Sequence, residues 1–88
     1  MKEVWVLFKQ DEFYCVCSDA KAAVACLIDE LNSSINAYNR WDREDARAKK
    51  RQFEGYVEEV TKSYNEYADD FGCDYCWAHR STVYSAEN

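Results

Sequence analysis

Proline is absent from the chain, and glycine occurs only at Gly55 and Gly72. Two isolated glycines exclude the glycine-rich loops that cradle phosphates, and with them the nucleotide-binding signatures built on such loops. Without proline, nothing between Asp19 and Phe71 forces a helix to break. Histidine occurs once, at His79, with no serine or cysteine nucleophile marked out beside it. No paired carboxylates stand in a recognisable catalytic motif, so the expectation is a protein that is not an enzyme. No apolar run approaches the ~20 residues of a membrane span, and Val4–Phe8 is too short for the core of a signal peptide. The expected location is therefore the cytoplasm, with no membrane partner. Basic charge is in the minority: eleven Lys and Arg against seventeen Asp and Glu leave a net charge of −6. An acidic chain disfavours direct binding to nucleic acid or anionic lipid and leaves open a partner with a basic surface.

What is present is a globular composition. Apolar residues make up 48% and aromatics 16% of 88 residues, enough for one modest core. The expectation is a single domain over 1–88, with 84–88 as a polar tail. Val4–Phe8 and Phe13–Cys17 are short runs rich in β-branched and aromatic residues, joined by polar Gln10-Asp11-Glu12, which predicts a hairpin. At Ser18 the period changes. Ala20, Ala23, Val24, Leu27, Ile28, Leu31, Ile35 and Tyr38 recur at three- and four-residue spacing, which predicts a helix over 19–40. Ser18 suits its N-cap, and Asp19 suits the positive end of its dipole.

The apolar stripe falters after Asn39 and resumes as Phe53, Tyr56, Val57, Val60, Tyr64, Tyr67, Ala68 and Phe71. This predicts a second helix over 43–71, capped by Asp42 and ended by Gly72 in a left-handed conformation. Tyr75–Tyr84 reads as a third strand. The predicted fold is α+β: a two-layer β-β-α-α-β domain with a three-stranded antiparallel sheet packed on a helical hairpin. Its expected core holds Val4, Val6, Val24, Leu27, Ile28, Leu31, Val57, Val60 and Tyr64.

Three patterns bear on chemistry. Cys73-x-x-Cys76 followed by His79 has metal-ligand spacing, and Cys15 and Cys17 share one face of the second strand. These five could form a structural zinc site if the strands adjoin; the alternative is that Cys15, Cys17, Cys26 and Cys76 are small core hydrophobes. We expect no metal or cofactor to be needed. The same Cys73-x-x-Cys76 could be a redox pair, but a position after a helix C-terminus would raise thiol pKa values rather than lower them.

The third pattern is charge segregation. Arg40, Arg43, Arg47, Lys49, Lys50 and Arg51 cluster where the apolar stripe is weak, at the end of the helical hairpin, where they form either a solvated end or a phosphate contact. Beyond Arg51, the predicted second helix carries Glu54, Glu58, Glu59, Glu66, Asp69 and Asp70 against Lys62 alone. On a helix, carboxylates four residues apart stand about 6 Å apart along the axis. That is close to the ~6–7 Å between successive phosphates of a duplex strand, so such a row could imitate a nucleic-acid backbone. The alternative is a solvated outer face.

The opening strand, acidic turn and strand, followed by Ser18-Asp19-Ala20-Lys21-Ala22-Ala23 at the start of an amphipathic helix, resembles small accessory proteins of bacteriophages and other mobile elements, including anti-CRISPR proteins. The resemblance implies a non-enzymatic inhibitor of a host defence enzyme that handles nucleic acid. The expected partner is then a host protein with a basic surface, contacted by Glu54, Glu58, Glu59, Glu66, Asp69 and Asp70. A homodimer built on the helical hairpin is a third possibility.

Overall fold

A computed structural model describes residues 2–83. It shows strands β1 (Lys2–Lys9) and β2 (Glu12–Cys17), helices α1 (Ala20–Tyr38) and α2 (Glu44–Ser63), and strands β3 (Asp70–Gly72) and β4 (Cys76–Val83). The fold is α+β, and the four strands form one antiparallel sheet in the order β2-β1-β4-β3. The expected polar tail, and Tyr84 of the expected last strand, lie outside the described residues.

The β1–β2 hairpin turns through Gln10 and Asp11, both at positive φ (53° and 65°), as a two-residue turn matched to strand twist requires. Neither residue is glycine, so the turn is strained. It is held by a hydrogen bond that the Gln10 N–H donates to the Tyr75 carbonyl at 2.9 Å. α1 begins one residue later than expected: Asp19, not Ser18, is the N-cap, and its carboxylate accepts from the Ala22 N–H at 2.7 Å. Asp42 does not cap α2 either. Arg43 occupies the cap position without a side-chain bond, and Asp42 pairs with Arg47 at 3.0 Å.

The largest correction concerns the end of α2. The helix stops at Ser63, and Tyr64 has already left helical geometry at ψ 125°. Two short polar side chains account for this. Ser63 Oγ accepts from the Gly72 N–H at 2.9 Å, and its single proton is shared between the Gly72 and Val60 carbonyls at 3.0 and 3.1 Å. Asn65 accepts from the Tyr67 N–H at 2.9 Å, a local turn that competes with the helix. The chain then reverses into β3, a fourth strand absent from the expected order. Gly72 sits in that strand at φ 146° rather than capping a helix. Tyr67, on the expected apolar stripe, is 81% exposed.

Both helices cover one face of the sheet. In β1, Trp5 and Leu7 point inward and join Ala23, Leu27 and Leu31 of α1, Phe53 and Val60 of α2, Phe71, Cys76 and Ala78 in the core. Val6 was expected there. It faces the other side, because apolar residues at every position from Val4 to Phe8 left the register ambiguous. Val24, Ile28, Val57 and Tyr64 pack at the core's margin, half-buried, and Val4 is buried outside the main cluster. An aromatic cluster ties the hairpin to the β3–β4 turn: Phe53 meets Tyr75 at 4.8 Å, Tyr56 at 5.4 Å and Tyr38 at 5.6 Å. The long axis of 56 Å exceeds the ~26 Å of an eight-residue strand, so the helical hairpin extends past the sheet. None of the described helices is long and apolar enough to cross a membrane.

Candidate functional site

Early termination of α2 divides the expected acidic row. Glu54, Glu58 and Glu59 are exposed on the helix, Glu66 and Asp69 lie in the loop beyond it, and Asp70 opens β3. Two of the six are neutralised. Glu58 pairs with Lys62 at 2.8 Å, and this hydrogen bond holds its carboxyl below the ordinary range. Asp69 pairs with Arg80 at 2.7 Å, and its carbonyl also accepts from the Arg80 N–H. Glu54, Glu59, Glu66 and Asp70 make no ion pair among the described residues. Glu66 stands apart beside Tyr67, on a different hollow that also includes Arg80.

Glu59 and Asp70, by contrast, come together. With Asp74, which the sequence did not single out, they line one shallow groove of about 320 Å³ where α2 meets the β3–β4 turn. Trp77 forms part of the same wall. Its ring stacks on Phe8 at 5.7 Å with an interplanar angle of 20°, and Phe8 is paired in register with Phe13. Residues facing each other across antiparallel strands share a face. Phe13, Phe8 and Trp77 therefore make one row on the face turned away from the helices, and Val16, Val6 and His79 make the next. Phe13 is 65% and Val16 52% exposed. Through Trp77 the acidic groove thus adjoins the apolar sheet face turned away from the helices, which is half-buried at Val6, Phe8 and Trp77 and exposed at Phe13 and Val16; its sequence signal was the run of apolar residues on both faces of β1.

The basic segment lies at the far end of the hairpin. Arg43 stands over the Trp41 ring at 5.9 Å, while Arg43 and Arg47 are engaged by Asp45 and Asp42. Of its six basic side chains, Arg43 and Arg47 are thus paired.

The five residues of the alternative zinc reading, Cys15, Cys17, Cys73, Cys76 and His79, do not converge. β2 lies at one edge of the sheet and the β3–β4 turn at the other, with β1 and β4 between. His79 points to the open face, in the row of Val6. Instead two separate thiol groups exist. Cys73 and Cys76 are buried, with sulfurs 3.8 Å apart in the β3–β4 turn. The hydrogen bond from Cys76 lowers the Cys73 thiol to about 7 and raises that of Cys76. The motif follows a strand rather than a helix C-terminus, which removes the dipole expected to disfavour thiolate.

The second group is Cys15, Cys17 and Cys26, whose sulfurs all lie within 4.8 Å of one another. Cys15 and Cys26 are 3.6 Å apart. Alternation along β2 turns Cys15 and Cys17 inward together, and Cys26 meets them from α1. Burial and the Cys26 hydrogen bond push the Cys15 thiol up to about 12, and burial raises Cys17 as well. No protein-family model matches the chain, and neither does any curated protein or solved structure.

Proposed function

We propose that the chain is a non-enzymatic protein-binding module that takes a basic segment of a partner protein into the groove of Glu59, Asp70 and Asp74. The observation that carries this is the continuity of that groove with the row of Trp77, Phe8 and Phe13, half-buried at Trp77 and Phe8 and exposed at Phe13. An aromatic centre beside a charged rim is the arrangement from which protein interfaces draw affinity and specificity. The carboxylates would steer a basic surface inward, and the aromatic row would hold it by excluding water.

Basic surfaces flanked by apolar side chains are typical of enzymes that handle nucleic acid. Together with the resemblance of residues 1–40 to phage accessory proteins, this favours an inhibitor that occupies such a surface in a host defence enzyme. The acidic set differs from the helical row expected from sequence: Glu59 and Asp70 remain, Asp74 joins them, and Glu54, Glu58, Glu66 and Asp69 become peripheral.

The test starts from the partner captured from a host lysate. Reversal of Glu59, Asp70 and Asp74 to Lys should slow association at least tenfold at low salt and flatten its salt dependence. Phe13→Ala should raise the dissociation rate with little change in association. A short DNA duplex should compete for the same partner surface. Unchanged association by the triple reversal, together with unchanged dissociation of Phe13→Ala, would exclude this face.

A further inference from the structure

We propose that Cys15, Cys17 and Cys26 form a three-thiolate site for one soft, thiophilic d¹⁰ cation, with copper(I) as the ion it fits. Three sulfurs bound to one centre at about 2.3 Å stand about 4 Å apart. The observed spacings, 3.6 Å for Cys15 to Cys26 and none above 4.8 Å, lie within a rotamer adjustment of that figure. Among the described residues, no histidine, aspartate, glutamate or further cysteine completes the same cluster. A structural zinc ion closes a tetrahedron of four ligands, whereas copper(I) is selected by soft thiolate and is satisfied with three.

The cluster is also accessible and braced. All three cysteines are partly exposed, and β2 is an edge strand, so an ion can enter from the side of the sheet. Lys9 of β1 pairs with Glu30 of α1 at 2.8 Å, and the Tyr14 hydroxyl donates to the same carboxylate at 3.2 Å. Glu30 lies one helical turn beyond Cys26, so these contacts clamp the hairpin onto α1 beside the thiols. Binding replaces three protons: Cu⁺ and three thiols give a tris-thiolate of charge −2 and release three H⁺. The set differs from the alternative zinc reading of the sequence in losing Cys73, Cys76 and His79 and gaining Cys26.

The experiment is an anaerobic titration of the reduced full chain with copper(I) against a colorimetric copper(I) chelator. One equivalent should be retained. Cys17→Ser and Cys26→Ser should each weaken retention at least 100-fold, and Cys76→Ser should leave it unchanged. Because a core-facing serine could unfold the chain, alkylation followed by mass spectrometry is done on the unaltered protein as well. Copper(I) should protect Cys15, Cys17 and Cys26 together. Protection confined to two of them, protection falling on Cys73 and Cys76, or loss of the ion to the chelator would overturn the site. So would a zinc titration in which zinc displaces copper(I) from the three thiols.

Discussion

The two glycines make a matched test of the β3–β4 turn, because the same substitution should act with opposite sign at each. Gly72 has φ 146°, a conformation L side chains rarely adopt. A Cβ there would meet the Trp77 backbone and lie 2.6 Å from the Cys76 carbonyl oxygen and from Trp77 Cβ. Those atoms belong to the paired strand, which is tied down by the Cys73 N–H donating to the Cys76 carbonyl at 2.8 Å. Backbone strain of this kind costs about 1–3 kcal/mol. The overlap adds to it, since only movement of the whole turn relieves it. Gly72→Ala should therefore destabilise by at least about 3 kcal/mol, or more than ~12 °C in Tm for a domain of this size.

Gly55 lies in the middle of α2, and a Cβ there meets nothing within 4 Å. Gly55→Ala should stabilise by about 0.5–1 kcal/mol through helix propensity and raise Tm by roughly 4 °C. Urea and thermal denaturation followed by far-UV circular dichroism measure both. A Gly72→Ala midpoint within about 1 kcal/mol of the parent would mean that the chain does not turn tightly at that point. Had the second helix run on to residue 71, with Gly72 as its cap, alanine there would face no strand, and the overlap would be missing.

Two further outcomes follow from the same region. Ser63→Ala removes the hydroxyl that bonds both backbone groups of Gly72 and should cost about 1–3 kcal/mol in urea unfolding, while Thr61→Ala, on the exposed face, should cost less than ~1 kcal/mol. The buried dithiol predicts a stability maximum near pH 9 in metal-free, reduced protein. Cys73 is lowered to about 7 from 9.0, so its contribution is lost as pH falls from 9 towards 7. Cys76 and Tyr75 are raised, so they stay protonated in the fold while the unfolded chain ionises, and stability falls as pH rises above 9. Urea midpoints at pH 7, 9 and 11 check this. A midpoint that rises steadily to pH 11 would contradict it, and Cys73→Ser should remove the rise between pH 7 and 9.

Local signals located most of the elements, and failures came where packing or turn chemistry decided. The hairpin and α1 were legible because a change of period at Ser18 needs no tertiary information. The end of α2 was not. Tyr64, Tyr67, Ala68 and Phe71 keep helical spacing, but Phe71 reaches the core from a strand, meeting Trp5 at 4.9 Å. Ser63 and Asn65 carried the opposing local signal, which the apolar period outweighed. Register in β1 was undecided because Val4, Trp5, Val6, Leu7 and Phe8 satisfy either face. Only the larger inward fit of Trp5 and Leu7 against α1 resolves it, and this also places Val6 and Phe8 on the open face.

The candidate sites divide in the same way. The i,i+2 spacing of Cys15 and Cys17 was enough to put both on one side of β2, but Cys26 joins them only through the packing of α1 on that edge. Asp74 joins Glu59 and Asp70 only because α2 ends early and the chain returns as β3. Both groupings are thus products of the fold, and they lie at opposite edges of the sheet with β1 and β4 between them. Sites so separated, sharing no partner, should respond additively to substitution. A Cys17→Ser change that lost copper(I) while leaving partner association intact, and an Asp70→Lys change with the converse effect, would show two independent functions on one small sheet. A loss of both by either substitution would show instead that the sheet itself had been disturbed.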